Sequence, residues 1–231
     1  MSMSTRRLLL IRHAQGSLGE ANYDQLSALG YRQADHLAGR LERELPGASV
    51  VHGSLQRHRQ TASALRDLSI ERVDPGLDEY RVDHLLQAAF ARAGELGMTR
   101  PDEAAFRDPR RYLDLFLALF PRVLAAWQAA EIACEVNGTW RDFRERVDAA
   151  GVRLIADLDR APIVVAVTSA GVISTLAAGL LGRDLVWQRQ LNVALYNASI
   201  TDLRYSAERG WTASAVNGIH HLPDAGLQTL A

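Results

Sequence analysis

Apolar residues in this chain follow two periods, and the places where the period changes mark its elements. Arg7 to Ile11, Ser49 to Gly53, Ile70 to Val73 and Ile163 to Val167 are short apolar runs, the pattern of buried strands. Between them apolar residues recur every three or four positions. Ser27 is placed to cap a helix whose inner face is Ala34, Leu37, Ala38, Leu41 and Leu45. Leu55 to Leu68 predicts a second helix with Ala62 and Leu65 turned inward, and Pro75-Gly76 predicts a loop. Gly171 to Leu181 predicts a helix closed by Gly182. Ser199 to Tyr205 and Trp211 to Val216 read as late strands. Strands alternating with helices predict an α/β fold: a three-layer α/β/α sandwich around a mostly parallel sheet.

The alternation stops between Arg81 and Gly138. Tyr112, Leu115, Phe116, Leu119, Val123 and Trp127 recur at helical spacing, with a kink expected at Pro121. Leu113 and Leu117 spread the apolar surface around the helix, which predicts burial or an interface such as a homodimer contact. Thr139 is placed to cap the next helix, with Asp142 in its first turn and an end near Asp159. The expected organisation is one domain over 1–231 with a helical cap insertion at 81–138. Such a cap would cover a pocket and set substrate choice, and its arginines, Arg107, Arg110 and Arg111 among them, offer cations for a second anionic group.

Composition narrows the function classes. With 231 residues, 48% hydrophobic and 23% charged, the chain sits in the ordinary globular range, which excludes a disordered or coiled-coil protein. A net charge of −1 argues against a nucleic-acid or membrane binder. All 26 basic residues are arginine, so neither a Schiff base nor a phosphate-loop lysine is available. Cys134 is the single cysteine, so no internal disulfide forms and a reducing cytoplasm is the expected location. The first apolar run is too short for a signal peptide or a membrane span. No HExxH, cysteine-histidine cluster, GxGxxG or Walker loop is present, so neither a metal nor a nucleotide cofactor is expected.

The chemistry-bearing residues fall at predicted strand ends, where ligands gather in open α/β sheets. Arg12-His13 follows the first strand: a neutral histidine can attack phosphorus, and a guanidinium can hold two phosphate oxygens. Arg57 follows the second strand near a helix start, a place that favours anions. Glu79 follows the third, where a carboxylic acid can protonate a leaving alkoxide. Thr168-Ser169-Ala170-Gly171 closes the fourth strand, with Ser169 able to cap the next helix and the amides of Ala170 and Gly171 able to face an anion. Singly, each has an ordinary structural reading as a solvated, turn or capping residue. Four strand ends carrying histidine, arginine, glutamate and an anion-friendly turn form a much less accidental set.

The segments Leu8-Leu9-Leu10-Ile11-Arg12-His13-Ala14-Gln15, Leu26 to Ala34, Gly53 to Ala62, Val165 to Ile173 and Val216 to Leu222 together resemble the histidine phosphatase superfamily, which shares its fold with phosphoglycerate mutases. The resemblance implies that His13 is the nucleophile that becomes phosphohistidine, that Arg12 and Arg57 bind phosphate, and that Glu79 donates a proton. Asn22, in the loop after His13, is placed to reach the phosphate too. The implied substrate is a phosphorylated small molecule or a phosphoprotein. The Arg-His-Tyr-Gly run of the cofactor-dependent glycolytic mutases is absent, which argues against phosphoglycerate isomerisation.

The chain departs from the family pattern in two places. Ala14 stands where the family has glycine after Arg-His, and Ser169 and Ala170 stand where it has a second histidine followed by glycine. Ser169 keeps a hydrogen-bond donor but loses a cation. A hydrogen bond to a charged group contributes about 1.5–3 kcal/mol, so losing one only in the transition state slows catalysis about ten- to a few-hundredfold. His52 and His220 are the candidates to refill the space. Two readings stand: a phosphatase, and a non-catalytic phospholigand-binding or interaction protein of the same fold.

Overall fold

The computed structural model describes residues 6–17, 20, 22–101 and 109–230. Its sheet has six strands, β1 (Arg6–Arg12), β2 (Ser49–His52), β3 (Ser69–Val73), β4 (Ile163–Thr168), β5 (Ile200–Ser206) and β6 (Gly210–Gly218), in the order β3-β2-β4-β1-β5-β6. The first four in that order run parallel; β5 and β6 add an antiparallel edge. Parallel neighbours need crossovers, supplied here by helices on both faces, so the three-layer α/β/α reading holds.

The helices are α1 (Ala28–Glu44), α2 (Gln56–Ser63), α3 (Val82–Ala91), α4 (Pro109–Gln128), α5 (Trp140–Asp157), α6 (Ala170–Leu181) and α7 (Leu185–Ala194). α1 begins where Ser27 Oγ accepts from Gly30 N at 3.0 Å, and it buries Ala34, Leu37 and Leu41. These pack with Leu9, Ile11, Val50, Val165, Val167, Ala62 and Leu65 in one aliphatic core. Full burial contributes roughly 1.5–3 kcal/mol for each larger side chain. On the other face Gly151 of α5 lets the helix approach Leu176 of α6, since a Cβ there would lie 2.7 Å from Leu176 Cδ2. α6 ends at Gly182, left-handed at φ +61°, as its sequence predicts.

Several boundaries differ from expectation. α2 stops at Ser63 rather than Leu68, because Ala64 and Leu65 bond back to Thr61 and Ala62 in a tightening turn that leads to the edge strand. Pro75–Leu77 is a single 3₁₀ turn capped by Asp74, whose Oδ1 accepts from Gly76 N at 2.9 Å. Neither α3 nor α7 was evident from periodicity. At the start of α5, Thr139 and Asp142 bond reciprocally, with Thr139 Oγ1 donating to Asp142 Oδ2 at 2.7 Å and accepting from Asp142 N at 3.2 Å.

The chain divides into two compact units, one of Met1–Glu79 with Val147–Ala231, the other of Tyr80–Arg146. In the second, Tyr80, Phe120, Trp127, Trp140 and Phe143 form an aromatic cluster with ring centroids 5.1–6.2 Å apart. α4 continues through Pro121 as one helix; its Leu113, Leu115, Phe116, Leu117 and Leu119 are half-buried, and full burial begins at Phe120. Arg107 and the side chains of Arg110 and Tyr112 lie outside the described residues. Among the described residues no helix is long and apolar enough to cross a membrane.

Candidate functional site

β1 and β4 run side by side in register, with Arg12 opposite Thr168, so the residues that follow them leave the sheet together. The backbone of His13 is fixed from both sides. Its N–H donates to Thr168 O at 2.8 Å, and its carbonyl accepts from Ala198 N at 3.2 Å. The next amide, Ala14 N, donates to Thr61 Oγ1 of α2 at 3.0 Å. The loop that follows is pressed against α1: a Cβ on Gly30 would lie 2.1 Å from Gln15 O, which is why glycine stands in the first turn of that helix.

The His13 imidazole is buried. Its Nδ1 lies 2.8 Å from Ala14 O, a carbonyl that can only accept, so Nδ1 carries the proton. Nε2 then presents its lone pair, and Arg57 Nε donates to it at 3.1 Å. Burial, then the cations of Arg57 and Arg12 and the neighbouring His58, hold this histidine well below its ordinary pKa. It is therefore neutral at neutral pH, with Nε2 unprotonated.

Arg57 reaches the site from the first turn of α2. Its Nη1 is paired with Asp24 Oδ1 at 2.6 Å, and the guanidinium lies 5.5 Å from the Tyr23 ring centroid. Asp24 Oδ2 also accepts from Gln56 N at 2.8 Å, which ties the arginine and the helix start to one carboxylate. Arg12 Nη1 donates to Leu195 O. Glu79 Oε2 accepts from Gly171 N at 2.8 Å. The Gly171 amide, expected to face an anion, thus holds the acid at the start of α6 instead.

Ser169 departs further from expectation. It occupies the N-cap position of α6, yet its side chain caps nothing. Its Oγ lies 2.7 Å from Nε2 of His58, and both residues are buried. Neither His52 nor His220 fills the place expected of it. His52 Nδ1 bonds the carbonyl of Gly53 at 2.8 Å, and His220 lines a surface cavity along α1 with Arg32, His36 and Arg40. Asn22 is exposed; its Nδ2 donates to Gln56 Oε1 at 3.1 Å, and its Oδ1 accepts from Asp24 N. The structure joins His13 to Arg57 with Arg12 and His58 close by, sets Ser169 against His58 and Glu79 against the Gly171 amide, and leaves Asn22 at the surface.

His58 and Asp24 are the residues that sequence reasoning passed over. His58, Ala62 and Leu65 are spaced four and three apart, which puts the imidazole on the buried side of α2. Asp24 lies in a loop with no periodicity, and nothing local marks it as the partner of Arg57. Burial, then Arg57 and His52, hold His58 well below its ordinary pKa. Among the described residues no group of three or more histidine, cysteine or acidic side chains is arranged to hold a metal ion.

A sequence model described as the histidine phosphatase superfamily, branch 1, matches residues 8–133 and 116–218. Among curated proteins none matches the chain. Among solved structures, a mycobacterial glucosyl-3-phosphoglycerate phosphatase in complex with inorganic phosphate is similar in fold, at 23% identity and a TM-score of 0.64, over 94% of this chain and 99% of that one. A phosphoserine phosphatase from Entamoeba histolytica is similar at 17% identity and a TM-score of 0.60, over 94% and 98% of the two chains. A third similar structure is a mycobacterial hydrolase at 23% identity and a TM-score of 0.62, over 93% and 99%.

Proposed function

The chain belongs to the histidine phosphatase superfamily, branch 1, and from that membership we propose that it hydrolyses phosphate monoesters through a phosphohistidine at His13. The observation that carries this reading is the protonation pattern of His13. Its Nδ1–H is held by Ala14 O, and its bare Nε2 faces Arg57. A buried imidazole in that form is a nucleophile ready at neutral pH.

The steps balance with the groups present. The Nε2 lone pair attacks phosphorus, and the bond from phosphorus to the ester oxygen breaks. The ring becomes an N-phosphoryl imidazolium whose charge is eased by the Nδ1–H bond to Ala14 O. Glu79, as the carboxylic acid, gives its proton to the departing oxygen. Water then attacks phosphorus, Glu79 takes the water's proton, and the phosphorus–nitrogen bond breaks to return neutral His13. Arg57 Nε, which donates to Nε2 before substrate binds, turns its donor to a phosphoryl oxygen, with Arg12 as the second cation. The substrate is a phosphorylated small molecule or a phosphoprotein.

Ser169 supports a second reading, since it removes a cation from the site: a phospholigand-binding or interaction protein. Glu79 favours the first reading, because a binder needs no leaving-group acid. The deciding measurement is hydrolysis of an aryl phosphate by wild type and His13→Ala over about pH 5–8, without added metal. The expected result is turnover in wild type, absent in His13→Ala and maintained below pH 6.5, because the lowered pKa keeps the nucleophile neutral there. Equal rates in both proteins, or phosphate binding without turnover, overturn the phosphohistidine reading.

A further inference from the structure

Residues 57 and 58 are consecutive in the first turn of α2, so the turn that aims an arginine at His13 also aims an imidazole at the end of β4. The His58 ring lies 5.6 Å from that of His13, centroid to centroid. Its Nε2 is 2.7 Å from Ser169 Oγ. The ring has room only because residue 53 is glycine: a Cβ there would fall 2.2 Å from His58 Nδ1 and 2.7 Å from Asp78 Oδ1. Asp78 in turn lies with Oδ1 3.7 Å from that Nδ1, and its carboxylate is held by Ser54, whose amide donates to Oδ1 at 2.5 Å. Around the imidazole stand Arg57 and His52, His13 from the loop after β1, and Asp78.

A buried serine hydroxyl has one proton to give and two lone pairs to offer. With the single proton of the neutral His58 ring on Nδ1, facing Asp78, the Ser169 hydroxyl would donate to His58; with that proton on Nε2, the ring N–H fills one lone pair of Ser169 and the hydroxyl proton goes to another acceptor. A phosphoryl group joined to His13 would supply that acceptor, since Ser169 directly follows Thr168, whose carbonyl holds the His13 amide. We propose that His58 and Ser169 act as one pair, in which His58 is a positioning residue that fixes Ser169 as a donor to the phosphoryl group. The pair does from α2 and β4 together what a second histidine at position 169 does in the family pattern. This inference rests on the phosphatase reading of the same pocket.

The test is a double-mutant cycle on aryl phosphate hydrolysis with Ser169→Ala, His58→Ala and both. Each single change is expected to lower kcat about ten- to a hundredfold with a smaller change in KM, and the double change to cost no more than the worse single one. His58→Gln, which keeps an N–H donor, should retain more activity than His58→Ala. His58→Ala/Ser169→His, which moves the imidazole back to β4, should recover at least about tenfold over His58→Ala. A purely structural His58 would show neither recovery. Independent, multiplying losses, or Ser169→Ala within about twofold of wild type, overturn the pair while leaving the phosphatase reading intact. Orthovanadate titration of the same proteins covers a wild type without turnover. Weakened vanadate binding in both single variants then supports the pair although hydrolysis has failed, whereas affinities within about twofold of wild type, or no binding in wild type, overturn it.

Discussion

The two compact units of this chain fill their interiors with different matter. The unit of Tyr80–Arg146 closes around rings: Trp127, Phe120, Tyr80 and Phe143 are buried against one another, and one polar handle, Trp127 Nε1, donates to Gly138 O at 3.2 Å. The other unit carries an aliphatic core, and beside it buries His13, His52, His58, Thr61, Thr168 and Ser169. The rings contribute apolar burial and contact geometry and nothing chemical. The buried histidines do the reverse. Each has been taken out of water, and His13 and His58 stand beside the cation Arg57, an arrangement that opposes stability and supplies a neutral nitrogen at neutral pH. The difference teaches where a substitution should register: in the fold for one interior, in the chemistry for the other.

Trp127→Ala should show the largest effect on folding, a loss of about 3–5 kcal/mol in denaturant unfolding, because it empties the centre of the ring cluster. Arg57→Ala should cost about 2–4 kcal/mol of transition-state stabilisation, measured as kcat/KM on an aryl phosphate, with little loss of stability. If Arg57→Ala unfolded the protein as readily as Trp127→Ala, the contrast between the two interiors would collapse. The smallest effect is a slope with pH. His13 and His58 have folded pKa values below their unfolded ones, so the unfolded chain takes up protons that the folded chain refuses. Their stability contribution is present above the ordinary histidine pKa and is lost as pH falls through it. The thermal midpoint should therefore drop between about pH 7 and 5, and the drop should be shallower in His13→Ala; an equal slope in that variant would count against a buried neutral histidine.

The sheet was legible wherever strands are buried on both faces. β1 and β4 are central and parallel, so their side chains form unbroken apolar runs. α3 and α7 carry mixed faces with few fully buried positions, and periodicity passed over them. The places of Arg12, His13, Arg57 and Glu79 were readable because each lies at or after the end of a strand, whereas the roles proposed for them rest on the family resemblance. Ser169 was readable as a departure but not in its partner. The hydrogen bond to His58 spans 111 residues of sequence and comes from packing α2 against the end of β4. Asp24 was hidden for the same reason: its carboxylate acquires meaning only once α2 is set down beside it.

Gly53 has a consequence for the history of this sequence. Its missing side chain is the space in which the His58 ring stands, and that ring meets position 169 at hydrogen-bond distance. Residues 53, 58 and 169 therefore form one spatially coupled set scattered over three parts of the chain. A lineage that gained any side chain at 53 would forfeit the imidazole at 58. One that placed histidine at 169 while keeping His58 would bring a second ring to the point where His58 Nε2 now meets Ser169 Oγ at 2.7 Å. The order of substitutions open to descendants of this chain is constrained: the ring at 58 leaves before a ring at 169 finds room.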